Sequence, residues 1–315
     1  MSPEASRNPN DRANGQPNDQ PDDRANGQPD GQPSDRASRA SGRRSAVGRT
    51  ARGLALACHP GPTVAVTALT TAVAWSAGRG PAGCLLVAAT ILTGHLSIGW
   101  SNDAIDAARD TIVNRQDKPV VRGLVSRRTL IVAALVMLVL TVPVSLANGT
   151  AAGLMHLLFV ACAWAYNLGL KSSVVSWLPY AVAFGALPSF VTLGTTDTWA
   201  PWWATAATAL LGVGAHLGNV VPDLADDLAT GVRGWPQRLG GAARLLAPVP
   251  LAAATILLVV GPPGAVGVVG WVTLGLVAVL LGVILFWKNA PFVVTIAVAA
   301  VSVAALVIRG DALVP

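Results

Sequence analysis

The chain has 315 residues, of which 52% are hydrophobic and only 12% charged, about half of the roughly 25% charged fraction usual in soluble domains. That composition argues against a soluble enzyme and for a polytopic membrane protein, because the apolar weight lies in long, charge-free runs of Ala, Val and Leu. Three cysteines, Cys58, Cys84 and Cys162, stand far apart without a CxxC pair, which argues against a disulfide framework or a thiolate zinc site.

Residues 1–52 are rich in Pro, Gly, Asn, Asp, Gln and Arg, and cannot bury enough apolar surface to offset ordering entropy. A disordered cytoplasmic tail is expected there. It contains a duplication, RANGQPNDQPDD at 12–23 followed directly by RANGQPDGQPSD at 24–35. No apolar region of the secretory-signal kind lies within the tail. Residues 53–315 are expected to form a single transmembrane domain.

Nine apolar segments follow, at 63–78, 81–100, 129–147, 150–168, 174–194, 199–218, 244–260, 264–286 and 291–308. The breaks carry turn chemistry, as in Gly80-Pro81, Asn148-Gly149 and Gly261-Pro262-Pro263-Gly264. The segments are continuously apolar and lack barrel-type alternation, so helices are expected to satisfy the backbone in lipid. The fold class is therefore all-α, with nine membrane-spanning helices.

Lys and Arg test that count under the positive-inside rule. With a cytoplasmic N-terminus and the C-terminus on the opposite face, twenty of the 22 basic residues fall in the tail or in cytoplasmic connections; only Arg79 and Arg309 lie outside. An integral protein of a bacterial-type cell membrane is expected. Topology and anionic lipid account for the net charge of +6, which removes the need for a nucleic-acid partner.

Two polar stripes match each other: Asn102, Asp106 and Asp110 in NDAIDAARD, and Asn219, Asp223 and Asp227 in NVVPDLADD. Four-residue spacing puts each set on one face of a helix, with Asp103 joining the first set. They follow the second and sixth spans, which end on the same side, so both columns of oxygen ligands reach one mouth. Clustered carboxylates repel unless cations intervene, and hard oxygen donors suit Mg²⁺, which completes its shell with water and phosphate. A lone stripe of this kind is more often simply solvated; its duplication argues otherwise. Arg115, Lys118, Arg122, Lys171 and Arg233 are candidates to clamp phosphate oxygens, although positive-inside topology explains basic residues equally well. His95 and His216 precede the stripes and read as core polar residues, and the ten tryptophans fall mostly near span ends.

These residues resemble the UbiA superfamily of intramembrane prenyltransferases, which includes the 4-hydroxybenzoate polyprenyltransferases, over about residues 54–308. NDAIDAARD resembles the first acidic motif NDxxDxxxD and DLADD the second, DxxxD; YNLGLK resembles the family's Tyr and Lys segment. NRQDKPVVRGLVS is similar to the segment around Arg-Pro-Leu-x-x-Gly, with Lys118 in place of the Arg. The resemblance implies nine helices around a central cavity, Mg²⁺ as cofactor and an isoprenyl diphosphate as donor. It implies Asn102, Asp106, Asp110, Asp223 and Asp227 as metal or metal-water ligands, with Asp103 and Asp226 in support, and Lys118, Arg122, Tyr166 and Lys171 on the diphosphate. Asn219 completes the second column. Asp106, Asp110, Asp223 and Asp227 are the expected catalytic carboxylates. Lys118 lacks the bidentate fork of arginine, which weakens its correspondence.

The expected chemistry is metal-assisted ionisation of an allylic diphosphate, followed by capture of the cation by an aromatic or lipid-like acceptor in a water-poor cavity. Cyclisation of the donor without an acceptor is the alternative in the same chemistry. A cation or metabolite transporter is the non-enzymatic alternative, with inverted repeats and broken helices near the midplane as its mark.

Overall fold

The computed structural model describes residues 46–286 and 291–308, and every regular element among them is helical. Most of the expected tail lies outside the described residues, as do Trp287, Lys288, Arg309 and Asp311. Helix α1 covers residues 46–57 and so begins inside the segment expected to be tail. There follow α2 (Pro60–Ser76), α3 (Pro81–Ile112), α4 (Arg127–Leu146), α5 (Thr150–Leu168), α6 (Leu178–Thr196) and α7 (Trp202–Val220). Three short helices, α8 (Leu224–Ala229), α9 (Trp235–Leu239) and α10 (Ala242–Leu246), lead to α11 (Pro248–Val260), α12 (Val268–Phe286) and α13 (Pro291–Ile308).

Local chemistry sets the boundaries. Prolines open α2 and α3, where a missing N–H costs nothing. The Ser126 side chain caps α4 by accepting from the Thr129 N–H at 3.0 Å. Among the described residues six helices are long and apolar enough to cross a membrane, counting α7 to α8 and α10 to α11 each as one: Pro81–Ile112, Arg127–Leu146, Thr150–Leu168, Leu178–Thr196, Trp202–Ala229 and Ala242–Val260. The other three expected spans are also helical, but α2 has 17 residues, and Val268–Val283 and Val293–Ile308 are shorter apolar stretches.

The two largest of four apolar clusters among the described residues hold the bundle. One joins α3, α5 and α6 through Val87, Ile91, Phe159 and Phe190; the other joins α7, α11, α12 and α13 through Leu211, Leu251, Val277 and Val298. Trp203 and Trp100 are buried, so these two pack in the interior and not in an interfacial belt, whereas Trp75, Trp199, Trp202 and Trp271 are exposed. Arg79, exceptional in the basic-residue pattern, donates to Asn148 Oδ1 at 2.9 Å and ties the α2–α3 turn to the α4–α5 turn. A cavity of about 290 Å³ is lined from both cores by residues of α2, α3, α5, α6, α7, α11 and α13.

Candidate active site

NDAIDAARD contains alanines and no helix breaker, so α3 runs unbroken for 32 residues and carries the whole first stripe. Asp103, Asp106 and Asp110 are all buried. Buried carboxylates need partners. Asp106 is ion-paired with the Lys171 ammonium and accepts from Arg109 Nη2 at 3.0 Å. Asn102 donates to Asp106 at 3.4 Å and to Asn167 Oδ1 at 3.1 Å. Asp103 turns elsewhere: its Oδ1 meets His59 Nε2 at 2.9 Å and Lys118 Nζ at 2.7 Å.

The second stripe does not lie along one continuous helix. Pro222 removes a backbone donor and its ring crowds the preceding turn, so α7 ends at Val220, a 3₁₀ turn covers Val221–Asp223, and α8 restarts at Leu224. Asp223 pairs with Arg115 at 3.1 Å. Asp227 accepts from Gln237 Nε2 at 2.8 Å and lies 3.4 Å from Arg109 Nη1. Asp226 is exposed. Asn219 and Tyr180 both line the cavity wall.

Arg109 is the link between the stripes. Its guanidinium reaches Asp106 at 3.0 Å, Asp227 at 3.4 Å and Asp110 at 4.0 Å. Arg115 makes a second link, holding Asp117 through two 2.9 Å hydrogen bonds and also pairing with Asp223. Those bonds raise the Arg115 pKa, Asp117 first, and hold the Asp117 carboxyl below its usual range. Burial pulls the Lys171 ammonium below its ordinary pKa, against the pull of Asp106. Among the described residues no three His, Cys, Asp or Glu side chains converge as a ready metal cluster; cationic side chains stand between the carboxylates.

The stripes adjoin the apolar cavity through their first residues, Asn102 and Asn219. Asn102, Tyr166, Asn167, Tyr180, Asn219 and His95 supply polar atoms to a wall otherwise made by residues such as Phe159, Phe184 and Leu187. Tyr166 sits edge-on to both Tyr180 and His216 at ring centroid distances of 5.1 and 5.5 Å.

The UbiA prenyltransferase family model matches residues 64–308. The chain belongs to that family. Its fold is similar to the apo structure of a UbiA homolog from Aeropyrum pernix K1, at 19% identity and a TM-score of 0.65, covering 78% of this chain and 97% of that one. It is also similar to a UbiA homolog from Archaeoglobus fulgidus bound to GPP and Mg²⁺, at 16% identity, TM-score 0.63, covering 81% and 99%. A third similar structure is a digeranylgeranylglyceryl phosphate synthase, at 14% identity, TM-score 0.59, covering 82% and 98%. Among curated proteins nothing matches the chain.

Within this UbiA-type bundle, Asn102, Asp106, Asp110, Asp227 and Lys171 come together, and Arg115 brings in Asp223. Lys118 is engaged by Asp103, and Arg122 is exposed with no side-chain hydrogen bond among the described residues. Three residues at the site were not singled out from sequence. Arg109 looked like one more topological charge, although its place three residues after Asp106 was a usable signal. Gln237 and His59 offered none, since only folding brings them to Asp227 and Asp103. His216 is a core residue, bonded to Ser176 at 3.0 Å, while His95 lines the cavity.

Proposed function

We propose that this UbiA-family chain is an integral membrane prenyltransferase. Nine helices cross the membrane with the N-terminus cytoplasmic, and a prenyl group passes from an isoprenyl diphosphate to an aromatic or lipid-like acceptor. One observation carries the proposal: a single guanidinium, Arg109, is shared by carboxylates of both acidic stripes, whose first residues, Asn102 and Asn219, line an apolar cavity. Two stripes far apart in sequence are thus one charged site with an apolar chamber behind it.

The donor set fits Mg²⁺, since Asn and Asp supply only hard oxygens. Cationic groups already neutralise those carboxylates, so positive charge is what this cluster holds best. Asn102, Asp106, Asp110, Asn219, Asp223 and Asp227 are the residues that would hold it, with Asp103 behind them. Bound there, Mg²⁺ would supply charge stabilisation to the departing diphosphate.

The protein's own groups do the rest. Lys171, Arg109 and Arg115 are cations released from carboxylates when those carboxylates take another partner, and they are then free to donate to phosphate oxygens. Lys118 and Arg122 lie nearby in sequence and extend the basic rim, while Tyr166 offers a hydroxyl at the cavity wall. As the allylic carbon–oxygen bond breaks, both electrons leave with the diphosphate and an allylic cation remains in the chamber. The apolar wall, including Phe159 and Phe184, excludes water that would quench it and keeps the hydrocarbon tail extended.

The test is diphosphate release by the purified protein with donors of ten to twenty carbons, with and without phenolic acceptors, plus and minus Mg²⁺. Mg²⁺-dependent release with a prenylated product is expected. Full turnover by Asp106→Ala would overturn the assignment, and a cyclic hydrocarbon made from donor alone would replace transfer by cyclisation.

A further inference from the structure

The two stripes are also bridged through backbone, at a place that belongs to neither. The connection between α5 and α6 contains a 3₁₀ turn at Leu170–Ser172, and helix α9 has five residues. Elements this short do not hold a shape alone, so their side chains are placed only by what fastens them to the rest of the fold. Yet each delivers one support to the charged site. Lys171 of the connection is ion-paired with Asp106, and Gln237 of α9 donates to Asp227 at 2.8 Å.

Ser176 is where the two are joined. It is 0% exposed, so water does not replace its partners. The Trp235 N–H opens α9, has no acceptor within that helix, and donates to Ser176 Oγ at 2.9 Å. His216, also 0% exposed, brings Nε2 to 3.0 Å from the same oxygen. A hydroxyl has one proton to give. With Trp235 as donor to Oγ, that proton goes to the Nε2 lone pair, and all three groups are satisfied.

Gly234 lets the two segments close on each other. A Cβ there would collide with the Lys171 carbonyl and stand 3.0 Å from Ser176 Oγ and 2.7 Å from Gln237 Oε1, so only glycine fits between them. The Lys171 backbone is therefore seated against the start of α9 while its ammonium pairs with Asp106. Trp235 and Gln237 share one turn of α9, so fastening the Trp235 N–H also sets the direction of the Gln237 amide.

The inner end of the joint is fixed as well. His216 stands on α7 beside two cavity-lining aromatics, its ring centroid 5.5 Å from that of Tyr166 and 4.9 Å from that of Tyr180. Asn219, the first residue of the second stripe, follows three residues later on the same helix. Ser176 thus ties together α7, the α5–α6 connection and α9. Neither Ser176 nor His216 hydrogen-bonds a stripe carboxylate among the described residues, so their effect on the site passes through Lys171 and Gln237.

We propose that Ser176, held by His216, is a positioning residue that locks the α5–α6 connection to α9, so that Lys171 and Gln237 are delivered to the two stripes as one unit. The inference rests on the Mg²⁺ and diphosphate site proposed above and adds residues that touch neither ligand. Loosening the joint frees Gln237 from Asp227, which weakens the hold on Mg²⁺, and frees Lys171, which weakens the hold on diphosphate.

The test uses the purified full chain. Mg²⁺ affinity is read from the rise in melting midpoint, and geranyl diphosphate affinity from equilibrium binding at saturating Mg²⁺. Ser176→Ala should weaken Mg²⁺ by about 10-fold and geranyl diphosphate by about 10-fold, whereas Gln237→Leu should weaken Mg²⁺ alone. In the double variant Mg²⁺ should bind no more than about 2-fold worse than in the weaker single variant, because both changes break one path. His216→Leu should match Ser176→Ala, and His216→Gln, whose amide oxygen accepts in place of Nε2, should stay within about 2-fold of the wild type. A merely structural role would lower the melting midpoint and leave both affinities unchanged. Wild-type affinities in Ser176→Ala and His216→Leu, or additive losses of Mg²⁺ affinity, would overturn the inference. Should the variants not fold, amide exchange on the wild type decides: residues 170–177 and 234–238 should open as one unit, with protection equal to within about 10-fold, and a larger gap would overturn it. A wild type that binds neither Mg²⁺ nor geranyl diphosphate would instead sink the proposed site, while the exchange measurement still judges the joint.

Discussion

The two acidic stripes share a spacing and differ in construction. The first rides on an uninterrupted 32-residue helix with Asp103, Asp106 and Asp110 buried; the second is broken at Pro222, and its Asp223 and Asp226 are open to solvent at least in part. An unbroken helix gives fixed geometry, and burial there is tolerated because Lys118, Lys171 and Arg109 neutralise the charge. A broken helix re-aims its carboxylates, and Asp227 is then steadied from outside the stripe by Gln237. One side of the mouth is thus set by local helix geometry and the other by tertiary contacts.

The contrast is most severely tested at its rigid side. Asp106→Asn should lower Mg²⁺-dependent diphosphate release by about 10²–10³-fold, since it removes the carboxylate that meets both Arg109 and Lys171. Donor turnover kinetics check this, and a loss below about 10-fold would place the essential charge elsewhere.

Pro222→Ala would make the two sides alike. Healing the helix should raise the thermal midpoint, because proline is the poorest residue for a helix interior. The same change rotates Asp223 and Asp227 away from Arg115 and Arg109, so turnover should fall by about 10²-fold. A variant that is both more stable and fully active would mean that the break has no role.

Gln237→Leu sharpens the distinction at smaller cost. Gln237 is buried with an unpartnered Oε1, so a similar apolar side chain should leave stability nearly unchanged. Asp227 loses its outside support, and half-saturation by Mg²⁺ should rise about 10-fold, which a metal titration of turnover measures.

The smallest effect is expected for the link itself. Without metal, Arg109→Gln leaves Asp106, Asp110 and Asp227 short of positive charge, and the melting midpoint should drop by about 2–4 °C. Added Mg²⁺ should restore the midpoint in the variant more than in the wild type, because it replaces the missing charge.

Much of this was legible before folding. Long apolar runs admit few structures in lipid, so helices could be read from hydropathy alone, and the spacing of Asp106 and Asp110 was visible as a helical face. Pro222 was equally visible, yet four-residue spacing overrode it and the second stripe was read as one face. Arg109 was hidden by the general excess of basic residues on one side of the chain. Lys118 was read as a diphosphate group from its neighbours in sequence, and its pairing with Asp103 emerged only on folding.

The amino-acid order by itself determined the helical, membrane-type body, the family motifs and their shared end of the bundle, because hydrophobic length and residue spacing act over a few turns of one chain segment. Only the tertiary structure decided which cation meets which carboxylate, that Asp103 turns to His59 and Lys118, and that a cavity lies behind both stripes. Most of those outcomes depend on side chains meeting from beyond one helix, 15 residues apart for Lys118 and Asp103, 44 for His59 and Asp103 and 65 for Lys171 and Asp106, and no local pattern encodes such an approach.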